Sequence, residues 1–153
     1  MTVVAYDGRY LAADSLKCFG SCKDVKPYQK IIVRNGIAFA CTGNAALFKP
    51  MIKWYLDGKD PERLPPCGDQ YKDTKLIVFD GDAASFYMPG LPYPDEVSAP
   101  DAWGVGADIA IGAMEAGTDA AKAVEIAIKR EAYCGGPVQV IDLHSLKAED
   151  KAA

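Results

Sequence analysis

Histidine is almost absent from this chain: His144 is the only one, and it lies far from most of the cysteines. Cys18 and Cys22 offer half of a metal site, but no second close cysteine pair exists to complete it, so no structural zinc or other metal is expected. The five cysteines, Cys18, Cys22, Cys41, Cys67 and Cys134, form an odd set and read as free thiols rather than a disulfide framework. No apolar run is long enough to span a membrane. The N-terminus has neither the basic flank nor the apolar core of a signal peptide, so the expected compartment is the cytoplasm. Basic charge is not in surplus either: the net charge is −4, which argues against nucleic acid as the main partner. What remains is an ordinary globular balance, 50% hydrophobic and 25% charged, in a chain long enough for one well-filled domain.

The pattern along the chain is one of tight hairpins and grouped helices. Two short apolar runs flank Asp7-Gly8, and the second, YLAAD, ends in Asp14. A carboxylate directly after a buried run is either a strand end meeting water or a charge held for a purpose. KIIVRNGIAFACTG reads as strand, Asn35-Gly36 turn, strand. Leu47, Met51 and Trp54 then recur at helical spacing, with Pro50 marking a start or a kink and Gly58 a stop. Residues 59–73 and 89–100 are Pro-rich and read as loops, with a third hairpin, TKLIVFD to AASFYM, between them. Two helices follow, one over about 107–116 and one capped by Thr118, whose buried stripe is Ala120, Val124, Ala127 and Ile128. PVQVIDL is a last strand, and 145–153 reads as a polar tail. The expected class is α+β, with antiparallel sheets covered by helices.

Thr2 poses the chemical question. A small second residue lets an aminopeptidase remove Met1, and a free N-terminal threonine carries a hydroxyl and an α-amine on adjacent carbons. The amine has a reference pKa of about 7.7–8.0, so it can take the hydroxyl proton near neutrality. Nucleophile and base then share one residue, and no histidine is needed. A nearby lysine would lower the amine pKa by like-charge repulsion, and a carboxylate would hold that lysine in place. Asp14 and Lys30 suit those parts if the two hairpins bring them to Thr2.

Over residues 2–143 the chain resembles the proteasome β-subunit family, including the bacterial two-component and phage-type proteasome-like peptidases. TVVAYDGRYLAADS is similar to the family's N-terminal hairpin, which implies Thr2 as nucleophile and Asp14 as its acid. The KI of QKII implies Lys30 as the family's lysine. FACTGNAAL resembles the strand-to-helix turn that supplies the oxyanion-hole N–H, here Gly43. Cys41, two residues earlier, and Cys18 are then expected in the pocket for the residue preceding the cut. WGVGADIAIGAM and REAYCGGPVQV are similar to two further segments beside the nucleophile. Three positions depart from the pattern: Val105 stands where the family has serine between two glycines, Glu131 where it has aspartate, and Cys134 where it has serine. In the family these groups help to position the threonine amine and its water.

The resemblance implies a four-layer αββα sandwich over a single domain, 1–144, and a threonine peptidase working through an acyl-enzyme. It implies a peptide or unfolded-protein substrate, a homo-oligomeric ring and, as a further partner, an ATP-dependent unfoldase. No cofactor, nucleic acid or membrane enters the reading. Val105 and Glu131 favour an alternative, a catalytically weak or silent proteasome-like shell protein. Met51, Trp54 and Tyr55 are large for an exposed helix and are expected at ring contacts.

Overall fold

The computed structural model describes residues 2–146; Met1 and most of the expected polar tail, residues 147–153, lie outside the described residues. The first hairpin pairs β1 (Val4–Tyr6) with β2 (Tyr10–Ala13), antiparallel. Gly8 supplies the positive φ of the turn, at 104°. β10 (Asp101–Trp103) joins β1, and β11 (Gln139–Asp142) joins β2, giving a four-stranded sheet in the order β10-β1-β2-β11. The second sheet is a meander of five strands. Its members are β5 (Ile31–Arg34), β6 (Ile37–Thr42), β7 (Lys75–Asp80), β8 (Ala83–Met88) and β9 (Leu91–Glu96). Asn35 and Gly36 both have positive φ at the β5–β6 turn, as the Asn-Gly signal requires. A two-residue ribbon, β3 (Cys18–Phe19) with β4 (Cys22–Lys23), leaves the end of the first hairpin.

The period of two along the strands sorts the core. Val4, Leu11 and Ala13 pack against Ile31, Ala38, Ala40, Ile77 and Phe79 of the five-stranded sheet. The alternate residues Val3, Ala5 and Ala12 pack against α2 (Ala107–Glu115) and α3 (Ala120–Arg130) through Ala110, Met114, Ala123, Val124 and Ala127. The opposite face of the five-stranded sheet, Phe39, Cys41, Leu76 and Val78, is covered by α1 (Phe48–Leu56). The contact between the first sheet and α2 and α3 is made largely by small alanines, whereas α1 meets its sheet through the larger Met51, Ile52 and Trp54.

The structure corrects several expectations. Met51 and Trp54, expected at ring contacts, are buried inside the chain against the five-stranded sheet. Trp54 and Tyr55 both meet the Tyr87 ring, at 5.3 and 5.8 Å between centroids. Residues 91–96 form a strand, not a loop. Pro92 and Pro94 are tolerated because β9 is the edge of its sheet, where a missing N–H breaks fewer ladder bonds. Asp119, not Thr118, caps α3, its carboxylate accepting the Lys122 N–H at 2.8 Å. Pro50 lies in the first turn of α1, where its absent N–H costs nothing. Leu146, assigned to the polar tail, packs against the core between the sheets.

Candidate active site

Three chain segments that are remote in sequence meet at the end of the first hairpin. β2 runs out of Ala13 straight into Asp14, which is fully buried. Such a carboxylate survives only if its lone pairs are filled. Oδ1 accepts from the Thr2 hydroxyl at 2.7 Å, from the Val3 N–H at 3.0 Å and from the Lys30 ammonium at 2.7 Å. Oδ2 accepts from the Gly135 N–H at 3.0 Å. Asp14 is therefore not a strand end that meets water: it is buried, with both carboxylate oxygens hydrogen-bonded.

Lys30 enters β5 and is itself buried, 4% exposed. Burial pulls its ammonium below the usual lysine pKa, and the Asp14 carboxylate works against that pull. Its strand is fixed by Gln139 of β11. Gln139 Oε1 accepts from the backbone N–H groups of Lys30 and Ile31 at 2.9 and 3.1 Å, and its Nε2 donates to the Tyr28 carbonyl at 2.6 Å. Gln139 thus ties the second sheet to the first beside the ion pair.

The Thr2 main chain is held as tightly. Its carbonyl accepts the Gly106 N–H at 3.3 Å. Gly104, with φ of 96°, lies so close that a Cβ there would overlap the Thr2 carbonyl oxygen and sit 2.8 Å from its methyl. Gly104→Ala is therefore expected to destabilise the protein by about 2 kcal/mol or more and to displace Thr2. Gly112→Ala, where a Cβ on α2 meets nothing, should stabilise by about 0.5–1 kcal/mol. Chemical denaturation midpoints of the two variants check the contrast.

Gly43 ends β6 with φ of 87°, and a Cβ would fall 2.5 Å from the Thr74 Cα, so only glycine fits. The next residue, Asn44, caps a single 3-10 turn, Ala45–Leu47, through the Ala46 N–H. That turn feeds directly into α1.

A cavity of about 540 Å³ brings together Thr2, Lys30, Gly43, Cys41 and Cys18, five of the residues singled out in the sequence. Cys41 is buried and its thiol pKa is pushed up by that burial, so it is a protonated wall group. The three departures stand apart from the cavity lining. Val105 is 48% exposed between Gly104 and Gly106. Cys134 is buried in the α3 core, its thiol pushed up to about 12 mainly by burial, which leaves it a small apolar filler. Glu131 ends α3, and its Oε1 accepts the Tyr133 N–H at 3.2 Å, so its carboxylate braces its own turn. Sequence reasoning did not single out Gln139, and it met Gly135 only inside REAYCGGPVQV, matched as a whole segment. The signal for Gln139 was a glutamine set among the apolar residues of PVQVIDL.

No protein-family model matches the chain, and no curated relative does. Solved structures do. The Thiobacillus denitrificans BPH in complex with epoxomicin is similar over 94% of this chain and 99% of that one, at 23% identity and a TM-score of 0.67. A second structure of Thiobacillus denitrificans BPH gives 24% identity and a TM-score of 0.67 over 94% and 98% of the two chains. The eukaryotic HslV from Trypanosoma brucei gives 16% and 0.65 over 92% and 98%. With this topology and this coverage, the resemblance read from the sequence holds in three dimensions: the chain has the fold of the proteasome-like N-terminal-nucleophile hydrolases.

Proposed function

We propose that this protein is a self-compartmentalising threonine peptidase acting on peptides or unfolded protein, built as a four-layer αββα sandwich. Removal of Met1 frees the Thr2 α-amine. The amine takes the hydroxyl proton, and Oγ1 attacks the peptide carbonyl carbon. The oxyanion that forms is met by the Gly43 N–H. The amine then returns the proton to the leaving amine, the C–N bond breaks, and an ester on Thr2 remains. Water hydrolyses the ester with the amine again as base. Lys30 keeps a positive charge near the amine and so favours its neutral form, and Asp14 orients Lys30 and the hydroxyl. Every proton is carried by the chain or by water, so the reaction uses no cofactor.

The observation that carries this reading is one oxygen, Asp14 Oδ1, accepting from both the Thr2 hydroxyl and the Lys30 ammonium at 2.7 Å. Intact mass and peptide hydrolysis, measured on protein from a host with methionine aminopeptidase, test it. Loss of Met1 together with turnover is expected; loss of Met1 without turnover contradicts the mechanism.

Two observations favour a second reading, a weak or silent shell protein: the Val105 side chain has no hydrogen-bonding group, and the Glu131 carboxylate is engaged by Tyr133. Retained Met1 and no hydrolysis would support that reading. Both readings include a homo-oligomeric ring with Thr2 facing inward, and delivery of substrate by an ATP-dependent unfoldase fits the first. Sedimentation velocity at micromolar concentration should show a closed oligomer. A stable monomer that still cleaves peptides would refute the chamber and leave the threonine chemistry standing.

A further inference from the structure

The cavity in front of Thr2 is walled largely by apolar groups, among them Leu16, Tyr28, Cys41 and Phe48, and among the described residues no carboxylate lines it. Two ammonium groups do. Lys30 is compensated by Asp14. Lys17 is not: among the described residues it forms no ion pair. Its Nζ lies 4.8 Å from the centroid of the Phe19 ring and 4.8 Å from that of Tyr28. The two ring faces attract the cation and fix its position, but they do not neutralise it. A half-buried, uncompensated positive charge therefore stands in the wall of an apolar cavity that also holds the Thr2 hydroxyl.

We infer that this cavity receives the side chain on the acyl side of the scissile bond and that Lys17 selects a carboxylate there, glutamate or aspartate. The inference rests on the peptidase reading above. The decisive term is desolvation. A leucine or phenylalanine that fills the cavity buries apolar surface, but it strips water from Lys17 and offers nothing in return. A lysine or arginine adds like-charge repulsion. A glutamate covers the same walls with its methylenes and replaces the lost water with a charge-assisted hydrogen bond.

The test uses fluorogenic peptides that differ only in the residue before an amide-linked fluorophore: Glu, Gln, Leu or Lys. The fluorophore blocks the terminal carboxylate, so any preference belongs to the side chain. For the wild type, kcat/KM is expected to be about tenfold or more higher for Glu than for its neutral isostere Gln. Lys17→Met should bring the Glu/Gln ratio close to one while Leu cleavage continues, and Lys17→Glu should turn the preference toward Lys. A wild-type Glu/Gln ratio near one, or a ratio that Lys17→Met leaves unchanged, overturns the proposal. Lys17→Gln serves if circular dichroism shows that Lys17→Met has not folded. If the wild type cleaves none of the four, the peptidase reading fails, and calorimetric titration with C-terminally amidated Glu and Gln peptides decides the cavity's preference. Tighter binding of the Glu peptide, lost in Lys17→Met, supports the assignment; equal binding overturns it.

Discussion

Thr2→Ala is expected to reduce peptide hydrolysis by about 10⁴-fold or more, to background. The substitution removes the hydroxyl that forms the ester; of the two cysteines that line the cavity, Cys18 is half-buried and Cys41 buried. Cys41 and Cys134 are held protonated by burial, and His144 does not line the cavity. The fold should survive. Asp14 loses one hydrogen bond but keeps Val3, Lys30 and Gly135 as donors, a cost of about 1–2 kcal/mol. Alanine is also small enough at position 2 for Met1 to be removed. Thr2→Ser retains hydroxyl and amine and should retain measurable activity. Steady-state rates with a sensitive peptide substrate, read beside a thermal melt, check both variants; an alanine variant as active as the wild type removes the mechanism.

Lys30→Ala is expected to lower kcat/KM by about 10²–10⁴-fold and stability by about 3–5 kcal/mol. The loss of stability follows from Asp14, which stays fully buried with its ionic partner gone. The loss of activity follows from the amine, whose pKa rises once the neighbouring ammonium is removed, so the acid limb of the pH–rate profile moves to higher pH. Lys30→Arg keeps the charge and should leave that limb nearly in place while lowering the rate through altered reach. The wild type carries a related signature. Because burial sets the Lys30 pKa below its unfolded value, the unfolded chain binds more protons between the two values. Stability from this group rises with pH across that window and is lost as pH falls through the folded-state pKa. If Lys30→Ala and Lys30→Arg both match the wild type in rate and melting, Lys30 has no part in the site.

Local signals made the hairpins legible. Asn35-Gly36 dictates a turn whose backbone few other pairs adopt, Gly8 supplies the positive φ of the first turn, and the alternation in Val3, Val4 and Ala5 sorts onto two different cores. Position in the sheet was not legible. Proline in residues 91–96 reads as a loop until the strand is known to be an edge. Met51 and Trp54 read as interface because periodicity cannot say whether a helix face meets its own sheet or another chain. The same limit applies to the site. Asp14 and Lys30 came forward through a family pattern in the first half of the chain. Gln139 did not, because it acts through contacts with Lys30, Ile31 and Tyr28 that folding creates, and Lys17 meets the Tyr28 ring only in the folded chain.

The central claim is that a freed Thr2 carries the nucleophile. A covalent probe whose electrophile requires a hydroxyl and an amine on adjacent carbons is matched to a freed N-terminal threonine. Incubation of the protein with such a probe, followed by proteolysis and tandem mass spectrometry, reads the modified residue directly. The account predicts one adduct per chain, on an N-terminal peptide that begins at Thr2 and is absent in Thr2→Ala. An adduct on any other residue, or an unmodified Thr2 N-terminus in protein that still cleaves peptides, would contradict it.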